Sequence, residues 1–501
     1  MTIQGPVVRA TVVSASLAGA ALFACSSSSE PPVAAASAAA GASAAGSSGG
    51  MSSLGPDFAS AELLGRPTDR SISVNVVPTV AVEVYLEVGT TQGTYATQSP
   101  SVICAANEPF VATVGGLTED TAHHDRLRWR RPGDADFQAG PDRQFHTQRA
   151  PGQTFRFTMQ ADSHMDENSV VDLYHRTLAN VLADAPDFHV DLGDTFMCEK
   201  HVTPLSATSP PAPDEPSLVS RYLYEREHFG LASHSVPLFL VNGNHDGELG
   251  YLLAGGGDDL ATWATRARQR YFLNPTPDSF YTGDSTAQPH VGQRAAWYAW
   301  RWGDALFVTL DPFWNSTMKS SNDAWAVTLG KQQYDWLVQT LTSSTAKYKF
   351  VFLHNLVGGL DGQMRGGAEA APFFEWGGAN ADGSPGFAQH RAGWDRPIHQ
   401  VLVDTKVTAV FHGHDHLYSH QTLDGVVYQE VPQPSAKNSN NGATLASQYH
   451  YASGTALASA GHVRITVSPT GVKGEYVRAW LPASENATQV NGQIAHAWTV
   501  P

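Results

Sequence analysis

The sequence predicts two folded parts, a small all-β sandwich over residues 56–150 and a layered α/β domain over residues 151–501. Short β-rich runs separated by Gly, Pro and Thr turns indicate the sandwich. After Pro151-Gly152, apolar strand-like runs alternate with amphipathic helical stretches, a pattern typical of α/β proteins. Of the 501 residues, 42% are hydrophobic and 16% are charged, which is enough apolar side chain for a large core and too little charge for a disordered chain.

Residues 1–25 have the features of an export signal. From Val7 to Ala24 nearly every residue is small or apolar, and Arg9 is the single charged residue of that stretch. Cys25 then ends the tetrapeptide Leu-Phe-Ala-Cys, which resembles the lipobox of bacterial lipoproteins, where the cysteine is lipidated and becomes the mature N-terminus. An ordinary cleaved signal peptide is the alternative. Both predict that the protein is exported, either as a cell-envelope lipoprotein attached to the membrane through Cys25 or as a secreted protein.

Residues 26–55 are mostly Ser, Ala and Gly, a composition that buries no apolar area and is typical of a flexible linker. The G-x-S-x-G pattern of serine hydrolases occurs at residues 46–50, but no strand precedes it and no helix follows. We therefore set aside a serine hydrolase. No later run of 18 apolar residues exists, so no membrane span is predicted after the leader.

Charge and cysteine content exclude two further classes of site. The chain has 31 Lys and Arg against 47 Asp and Glu, a formal charge of −16, so no nucleic-acid-binding surface is expected. Three cysteines, Cys25, Cys104 and Cys198, are too few for a disulfide framework or a thiolate zinc site. Cys104 and Cys198 fall in separate predicted domains, so we expect them not to pair. The 21 histidines favour imidazole and carboxylate ligands for any metal present.

The predicted elements follow from the apolar patterns. In the sandwich, strands are predicted over residues 72–77, 80–88 and 127–130. There, His123 and His124 are adjacent and would point to opposite faces of a strand, so they predict packing or surface roles and no metal site. In the α/β domain, strands are predicted over residues 155–159, 188–192, 238–241, 350–353 and 407–411. Helices are predicted over residues 170–182, 218–229, 260–271, 332–341 and 398–403. A C-terminal hairpin is predicted over residues 463–479.

Metal-binding side chains follow each of the five predicted strands of the α/β domain. Ligands of open α/β sheets bind beyond the carboxyl ends of the strands, so these side chains are expected to converge on one cleft. Asp162 and His164 are two residues apart, and so are His414 and His416. This spacing would place the two side chains of each pair on one side of an extended turn. Glycines precede three of the motifs and allow a close backbone approach. The candidate ligands are Asp162, His164, Asp194, Asn244, His354, His414 and His416.

The types of these ligands predict the chemistry of the site. Seven oxygen and imidazole donors without a thiolate suit two hard-to-borderline divalent ions better than one structural zinc. Two such ions, about 3.5 to 4 Å apart, can bind both the attacking and the leaving oxygen of a phosphoryl displacement. The sequence therefore predicts phosphoryl transfer to water as the reaction.

The ordered motifs D-x-H, G-D, G-N-H-D, a lone H and G-H-x-H resemble those of the calcineurin-like metallophosphoesterase superfamily, and all five lie between residues 154 and 467. The resemblance implies a four-layer αββα sandwich and two divalent metal ions, which would be Mn, Zn, Fe or a mixed pair. It implies that one metal is held by Asp162, His164, Asp194 and His416. It implies that Asp194 also bridges to a second metal, which is completed by Asn244, His354 and His414.

The catalytic residues are implied by the same resemblance. His245 would carry no metal and would stabilise the transferring phosphoryl group or protonate the leaving oxygen. Asp246 would orient His245, and a plain turn or cap residue is the alternative for Asp246. A metal-bridging hydroxide is the implied nucleophile, because coordination lowers the pKa of water.

The sandwich before such a domain is similar to the layout of purple acid phosphatases and their bacterial relatives, in which the leading domain is of the fibronectin or immunoglobulin type. That subgroup has G-D-x-x-Y, whose tyrosinate binds a ferric ion, but this chain has Met197 at the tyrosine position. It also has His164 where the purple enzymes have glycine. A tyrosinate-bound ferric centre is therefore not expected.

Three hypotheses for the function remain after these observations. An exported phosphomonoesterase acting on a phosphate-ester substrate is the first. A phosphodiesterase is the alternative, because the same two metals and His245 serve both reactions and only the pocket walls differ. The third is a surface lipoprotein that binds a phosphorylated ligand without catalysis. An unliganded His245 beside Asn244 argues against it, since that histidine would have no evident structural role.

Three long inserts, over residues 200–217, 247–294 and 355–396, follow strands that carry ligands, and loops of this length are uncommon unless they are functional or mobile. We expect them to shape the substrate pocket. Candidates for substrate contact are His201, Trp314, Arg365 and Arg391, each with an ordinary loop or ion-pair role as the alternative. Asp415, between two inward ligands, is expected to face solvent or to lie behind the ligands.

Overall fold

The computed structural model describes residues 54–199, 213–437 and 441–501. The predicted export signal with its lipobox, nearly all of the predicted linker, and His201 lie outside these ranges. Within the described ranges, no helix combines the length and the apolar composition that crossing a membrane requires.

The N-terminal part is a β-sandwich, as predicted. Its strands are β1 (Leu63–Gly65), β2 (Ile72–Val76), β3 (Val82–Gly89), β4 (Thr97–Gln98), β5 (Val102–Cys104), β6 (Phe110–Val114), β7 (Ala122–Arg130), β8 (Gln138–Ala139) and β9 (Arg143–His146). One sheet has the order β1-β2-β6, and the other has the order β4-β3-β7-β8 with β5 on β3 and β9 on β7. In β7, every second side chain is buried, so His123 faces the core while its neighbour His124 is half-buried on the other face. This confirms that the two histidines point apart.

Strands β10 to β25 follow in the second part. They are β10 (Phe155–Gln160), β11 (Phe188–Asp191), β12 (Leu238–Leu240), β13 (Thr282–Gly283), β14 (Ala287–Gln288), β15 (Gly292–Gln293), β16 (Tyr298–Trp302), β17 (Ala305–Thr309), β18 (Tyr348–Phe352), β19 (Ala409–His412), β20 (Leu417–Leu423), β21 (Val426–Glu430), β22 (Thr455–Ala458), β23 (Gly461–Ser468), β24 (Gly471–Arg478) and β25 (Ile494–Val500). The helices are α1 (Val171–Ala183), α2 (Glu215–Ser233), α3 (Leu260–Tyr271), α4 (Lys331–Ser343), α5 (Phe374–Gly377), α6 (Phe387–His390), α7 (Ile398–Asp404) and α8 (Gly442–Gln448).

Two sheets form the centre of this part. The first has the order β12-β11-β10-β23-β24-β25, and the second has the order β13-β16-β17-β18-β19-β21-β20-β22. Strands β10, β11 and β12 are mutually parallel, and so are β17, β18, β19 and β21. Their carboxyl ends therefore meet at one edge of each sheet, where the ligand motifs begin.

The two sheets pack face to face through aromatic side chains. Phe157 of the first sheet lies 5.2 Å from Phe307 and 5.4 Å from Phe350 of the second, measured between ring centroids. The alternate residues point outward to helices, since Leu238 and Leu240 pack with α2 and α3 in a separate apolar cluster. Helices α4 and α7 cover the second sheet in the same way. Both faces of the parallel strands are thus buried, which confirms the αββα layers and explains why these strands have continuous apolar runs.

The five predicted strands of this part are divided between the two sheets, with three in the first and two in the second. Other strands of the sheets were not predicted from the sequence. Strands β16 and β17 were missed, although β17 pairs with β18 and β16 pairs with β17. Strand β25 was missed because most of its side chains are exposed. The predicted hairpin is present as β23 and β24.

The sandwich and the α/β part share buried polar contacts. The Arg226 guanidinium of α2 donates to the backbone carbonyl groups of Asn75 in β2, at 2.5 Å, and of Tyr271, at 2.7 Å. Arg66 donates to the carbonyl of Asn274 at 3.0 Å. Both parts belong to the unit formed by residues 50–501, so the domain boundary at residue 150 stays a prediction. Cys104 and Cys198 are buried free thiols.

Candidate metal centre

The backbone places the first two motifs side by side. Strands β10 and β11 are parallel neighbours, and beyond them the Asp162 N–H donates to the Gly193 carbonyl at 2.9 Å. The His164 N–H donates to the Asp194 carbonyl at 3.1 Å. Asp162, His164 and Asp194 all have left-handed backbones, with φ of 61°, 53° and 54°. Non-glycine residues adopt this conformation at a cost, and such strain is common at functional sites.

Glycines allow the loops to approach, as predicted. A Cβ on Gly193 would lie 2.3 Å from the Gly243 nitrogen, and a Cβ on Gly243 would lie 2.2 Å from the Asp194 nitrogen. A Cβ on Gly413 would lie 2.7 Å from Asp162 Oδ2. Any larger residue at these positions would push the ligand loops apart.

One group of candidate ligands consists of Asp162, His164 and His416, whose ligand atoms lie within 4.8 Å of one another. Asp162 Oδ1 is 3.5 Å from His416 Nε2 and 3.7 Å from His164 Nε2. The other carboxylate oxygen, Oδ2, accepts the backbone N–H of His414 at 2.8 Å. One oxygen of Asp162 thus anchors the G-H-x-H loop while the other faces the two imidazoles.

A second group consists of Asp194, His354 and His414, again within 4.8 Å. His354 Nε2 lies 3.1 Å from Asp194 Oδ2 and 3.2 Å from His414 Nδ1. The same Asp194 oxygen is 3.8 Å from His164 Nε2 of the first group. Asp194 therefore lies between the two groups, where it could contribute to both if each held a cation.

Backbone carbonyl groups determine which ring nitrogen of two histidines faces the site. His354 Nδ1 is 2.9 Å from the Leu192 carbonyl, and His414 Nε2 is 2.6 Å from the Gln363 carbonyl. A carbonyl only accepts, so both of these ring nitrogens carry protons and donate. The opposite nitrogens, His354 Nε2 and His414 Nδ1, are those that face Asp194, and a cation would bind them.

Several ligand atoms have no hydrogen-bond partner within the part of the chain that the structure describes. Asp162 Oδ1, His164 Nε2 and Asn244 Oδ1 are buried and make no hydrogen bond there. Leaving such atoms unsatisfied is costly, and a bound cation would satisfy them. The residues present therefore fit two divalent cations, with carboxylate, amide and imidazole donors and no thiolate.

The charges of the site are mutually dependent. Burial would raise the pKa of Asp194, but the neighbouring His354 and His245 outweigh it and hold that pKa well below its usual range. Burial would lower the pKa of His354, yet Asp194 raises it to about 9. His354 thus holds a proton that a cation must displace, which makes metal binding dependent on pH.

His245 lies beside the first group and has a partner that the sequence did not indicate. Its ring centroid is 5.7 Å from that of His164, and its Nδ1 contacts the Glu199 carboxylate. Burial would lower the pKa of His245, but Glu199 and Asp194 raise it to about 9, so its imidazole is protonated at neutral pH. Glu199 was missed because it directly precedes the first insert and belongs to none of the five motifs, and only the fold brings it to His245.

The Asp246 carboxylate is bound to backbone amides, and the carboxylate that contacts His245 is that of Glu199. Asp246 accepts N–H groups from four residues, at 2.7 to 3.0 Å: Gly243, Asp194, Thr195 and Phe196. Burial raises the pKa of Asp246 to about 6. Asp246 thus joins the G-D and G-N-H-D loops, much as a cap residue would.

The candidates for substrate contact have structural partners. Arg365 pairs with Asp415 at 3.0 Å, Arg391 pairs with Glu375, and the Trp314 ring stacks against the Arg294 guanidinium at 3.9 Å. Asp415 is 1% exposed, so it lies behind the ligands and not in solvent. For these three candidates, the contacts favour an ordinary loop or ion-pair role over contact with substrate.

Solved structures with the same fold include PhoD and a purple acid phosphatase. The chain is similar to a structure of PhoD, with a TM-score of 0.61 and 15% identity over 90% of this chain and 91% of that one. It is also similar to purple acid phosphatase PPD1 from yellow lupin (Lupinus luteus) seeds, with a TM-score of 0.56 and 14% identity over 88% of this chain and 74% of that one. Neither a family model nor a curated protein matches the sequence. The likenesses confirm the predicted metallophosphoesterase fold with its N-terminal β-sandwich.

Proposed function

We propose that this protein is a metal-dependent phosphoric ester hydrolase with a dinuclear centre. The observation that carries the proposal is the pair of ligand groups that meet at Asp194, with ligand atoms of Asp162 and His164 left unsatisfied. The likeness in fold to a purple acid phosphatase supports it. When bound, two divalent cations would polarise the phosphoryl oxygens and supply a water nucleophile near neutral pH.

The chain's own residues supply the proton chemistry. His245 holds a proton beside the first ligand group, and its raised pKa keeps that proton in place at neutral pH. Glu199 contacts Nδ1 and so leaves the Nε2 proton for a leaving oxygen. Asp246 and Gly243 keep the G-N-H-D loop against the G-D loop, which holds His245 near the ligands.

We propose that phosphomonoesters are the substrates. A monoester carries more negative charge than a diester, and the imidazolium of His245 adds a positive charge to a site already suited to two cations. The test is hydrolysis of p-nitrophenyl phosphate and bis(p-nitrophenyl) phosphate by purified protein loaded with Mn²⁺ or Zn²⁺. Faster turnover of the monoester is expected. Preference for the diester would make the protein a phosphodiesterase, and turnover of neither ester would refute both.

Export and attachment to the membrane are part of the proposal and rest on the leader sequence that ends at Cys25. Lipidation of this cysteine would place the hydrolase at the cell envelope, joined to the anchor by a Ser/Ala/Gly-rich segment. A substrate outside the cytoplasm is consistent with that position.

A further inference from the structure

A turn of the third insert reaches back to a metal ligand. This turn, residues 361–366, is called the insert turn below. The His414 Nε2–H donates to the backbone carbonyl of Gln363 in the insert turn at 2.6 Å. The bond leaves His414 Nδ1 unprotonated on the side of His354 and Asp194. A residue of the insert, and not of the strand-end motifs, thus sets the tautomer of this ligand.

The insert turn is held in shape by its own hydrogen bonds. The Asp361 carboxylate accepts the N–H groups of Gln363 at 2.8 Å and of Arg365 at 3.3 Å. The Met364 N–H donates to the Asp361 carbonyl at 3.1 Å, and the Leu360 N–H donates to the Arg365 carbonyl at 2.8 Å. An Asp side chain that bonds the following backbone in this way stabilises a turn. The direction of the Gln363 carbonyl is therefore set locally.

An ion pair attaches the insert turn to the G-H-x-H loop. Arg365 donates to the Asp415 carboxylate at 3.0 Å and to the His414 carbonyl at 3.3 Å. Asp415 also accepts the Gly366 N–H and the Tyr451 hydroxyl, both at 2.8 Å. Asp415 is 1% exposed and Arg365 is 8% exposed. Removing one member of such a buried pair leaves the other uncompensated, which is strongly destabilising, so the pair holds the turn firmly against the loop.

We propose that the insert turn is a positioning element of the metal group formed by Asp194, His354 and His414. The Gln363 carbonyl keeps His414 in the tautomer that binds a cation, and the pair of Arg365 and Asp415 keeps that carbonyl in place. Partners behind a metal ligand commonly contribute 10- to 100-fold in metal affinity, about the effect expected here. This inference rests on the proposed metal centre, but it does not require hydrolysis.

The test compares Arg365→Met with Arg391→Met. Arg391 is a matched control, because it lies in the same insert and pairs with a buried carboxylate, Glu375, but has no contact with the ligand groups. The measurement is Zn²⁺ affinity by chelator competition, together with elemental analysis of the dialysed proteins. Two Zn²⁺ per chain are expected in the unsubstituted protein. Arg365→Met is expected to bind one of them about 10- to 100-fold more weakly, while Arg391→Met retains both.

Circular dichroism establishes whether Arg365→Met folds. Should it fail to fold, Tyr451→Phe replaces it, because that change removes one hydrogen bond to Asp415 and keeps the ion pair, and a smaller loss of Zn²⁺ affinity is expected. Unchanged affinity for both ions in the folded variants would overturn the inference. An equal loss in Arg391→Met would overturn it too, since general loosening of the insert would then explain the effect.

The same measurements separate this inference from the proposed function. If the unsubstituted protein binds two Zn²⁺ but hydrolyses neither aryl ester, the hydrolase is refuted and the positioning role is decided by Arg365→Met alone. If the unsubstituted protein binds no Zn²⁺, both the metal centre and the role of the insert turn are wrong.

Discussion

Replacing His245 with alanine tests the proton donor that the structure indicates. The imidazole is not a member of either ligand group, so both metal positions are expected to remain occupied. Its Nδ1 is bound by Glu199, and its pKa of about 9 makes it a donor at neutral pH. A positioned general acid contributes about 10²- to 10⁴-fold to rate, or about 2.7 to 5.5 kcal/mol in the activation barrier. We expect a loss of kcat within that range.

The leaving group makes this prediction specific. An alkyl phosphate needs its leaving oxygen protonated, whereas p-nitrophenolate leaves readily without a proton. His245→Ala is therefore expected to lower kcat much more for an alkyl phosphate than for p-nitrophenyl phosphate. Metal content by elemental analysis is measured alongside, and His124→Ala in the sandwich is the control. Equal losses on both esters would refute protonation by His245, and loss of metal would show that His245 supports a ligand instead. Full activity on both esters would refute His245 as the proton donor.

The remaining predictions concern Glu199, Glu248 and Cys25. Glu199→Gln should lower kcat less than His245→Ala does and leave metal content unchanged, because it removes the partner of the imidazole and keeps the imidazole itself; unaltered kcat would contradict this. Burial would raise the pKa of Glu248, but Arg268 and Arg294 lower it to about 2. The folded pKa is thus below the unfolded one, so the stabilisation of about 3 kcal/mol is present above pH 5 and is lost as the pH falls toward 2. In urea unfolding of metal-free protein, the free energy of unfolding should depend less on acid pH for Glu248→Gln than for the unsubstituted protein. Identical pH profiles of the two proteins would refute this expectation. Cys25→Ser should move the protein from the membrane fraction to the soluble fraction of a bacterial host on immunoblots, whereas an unchanged distribution would exclude the lipid anchor.

Buried carboxyl groups that are not themselves ligands lie behind the ligand loops. Burial raises the pKa of Asp191 to about 7 and that of Glu225 to about 8. Arg221, one turn before Glu225, donates to the carbonyl groups of His164 and Phe196 at 2.8 and 3.1 Å. The first two ligand loops are therefore held from behind by a buried cation, with neighbouring carboxyl groups that can remain neutral near pH 7.

The sequence by itself determined the local structure and the ligand types. Buried strands carry continuous apolar runs and helices carry a 3.6-residue period, so elements such as β10, α3 and α4 could be predicted from neighbouring residues alone. The ligand motifs were visible for a related reason, because a turn at a strand end needs glycine and a metal needs carboxylate or imidazole. The order of the five motifs then indicated the fold. These features depend on residues that are close in the chain.

Only the tertiary structure decided which distant residues support the ligands. Glu199 is 46 positions from His245 and Gln363 is 51 positions from His414, and no period or spacing joins either pair. The Gln363 contact uses a backbone carbonyl, which any residue could supply. Asp246 is a carboxylate beside a histidine in the chain, yet three of its four bonds go to the amides of residues 194–196, which the fold brings to it. Contacts of this kind depend on how loops pack, and local sequence does not encode them.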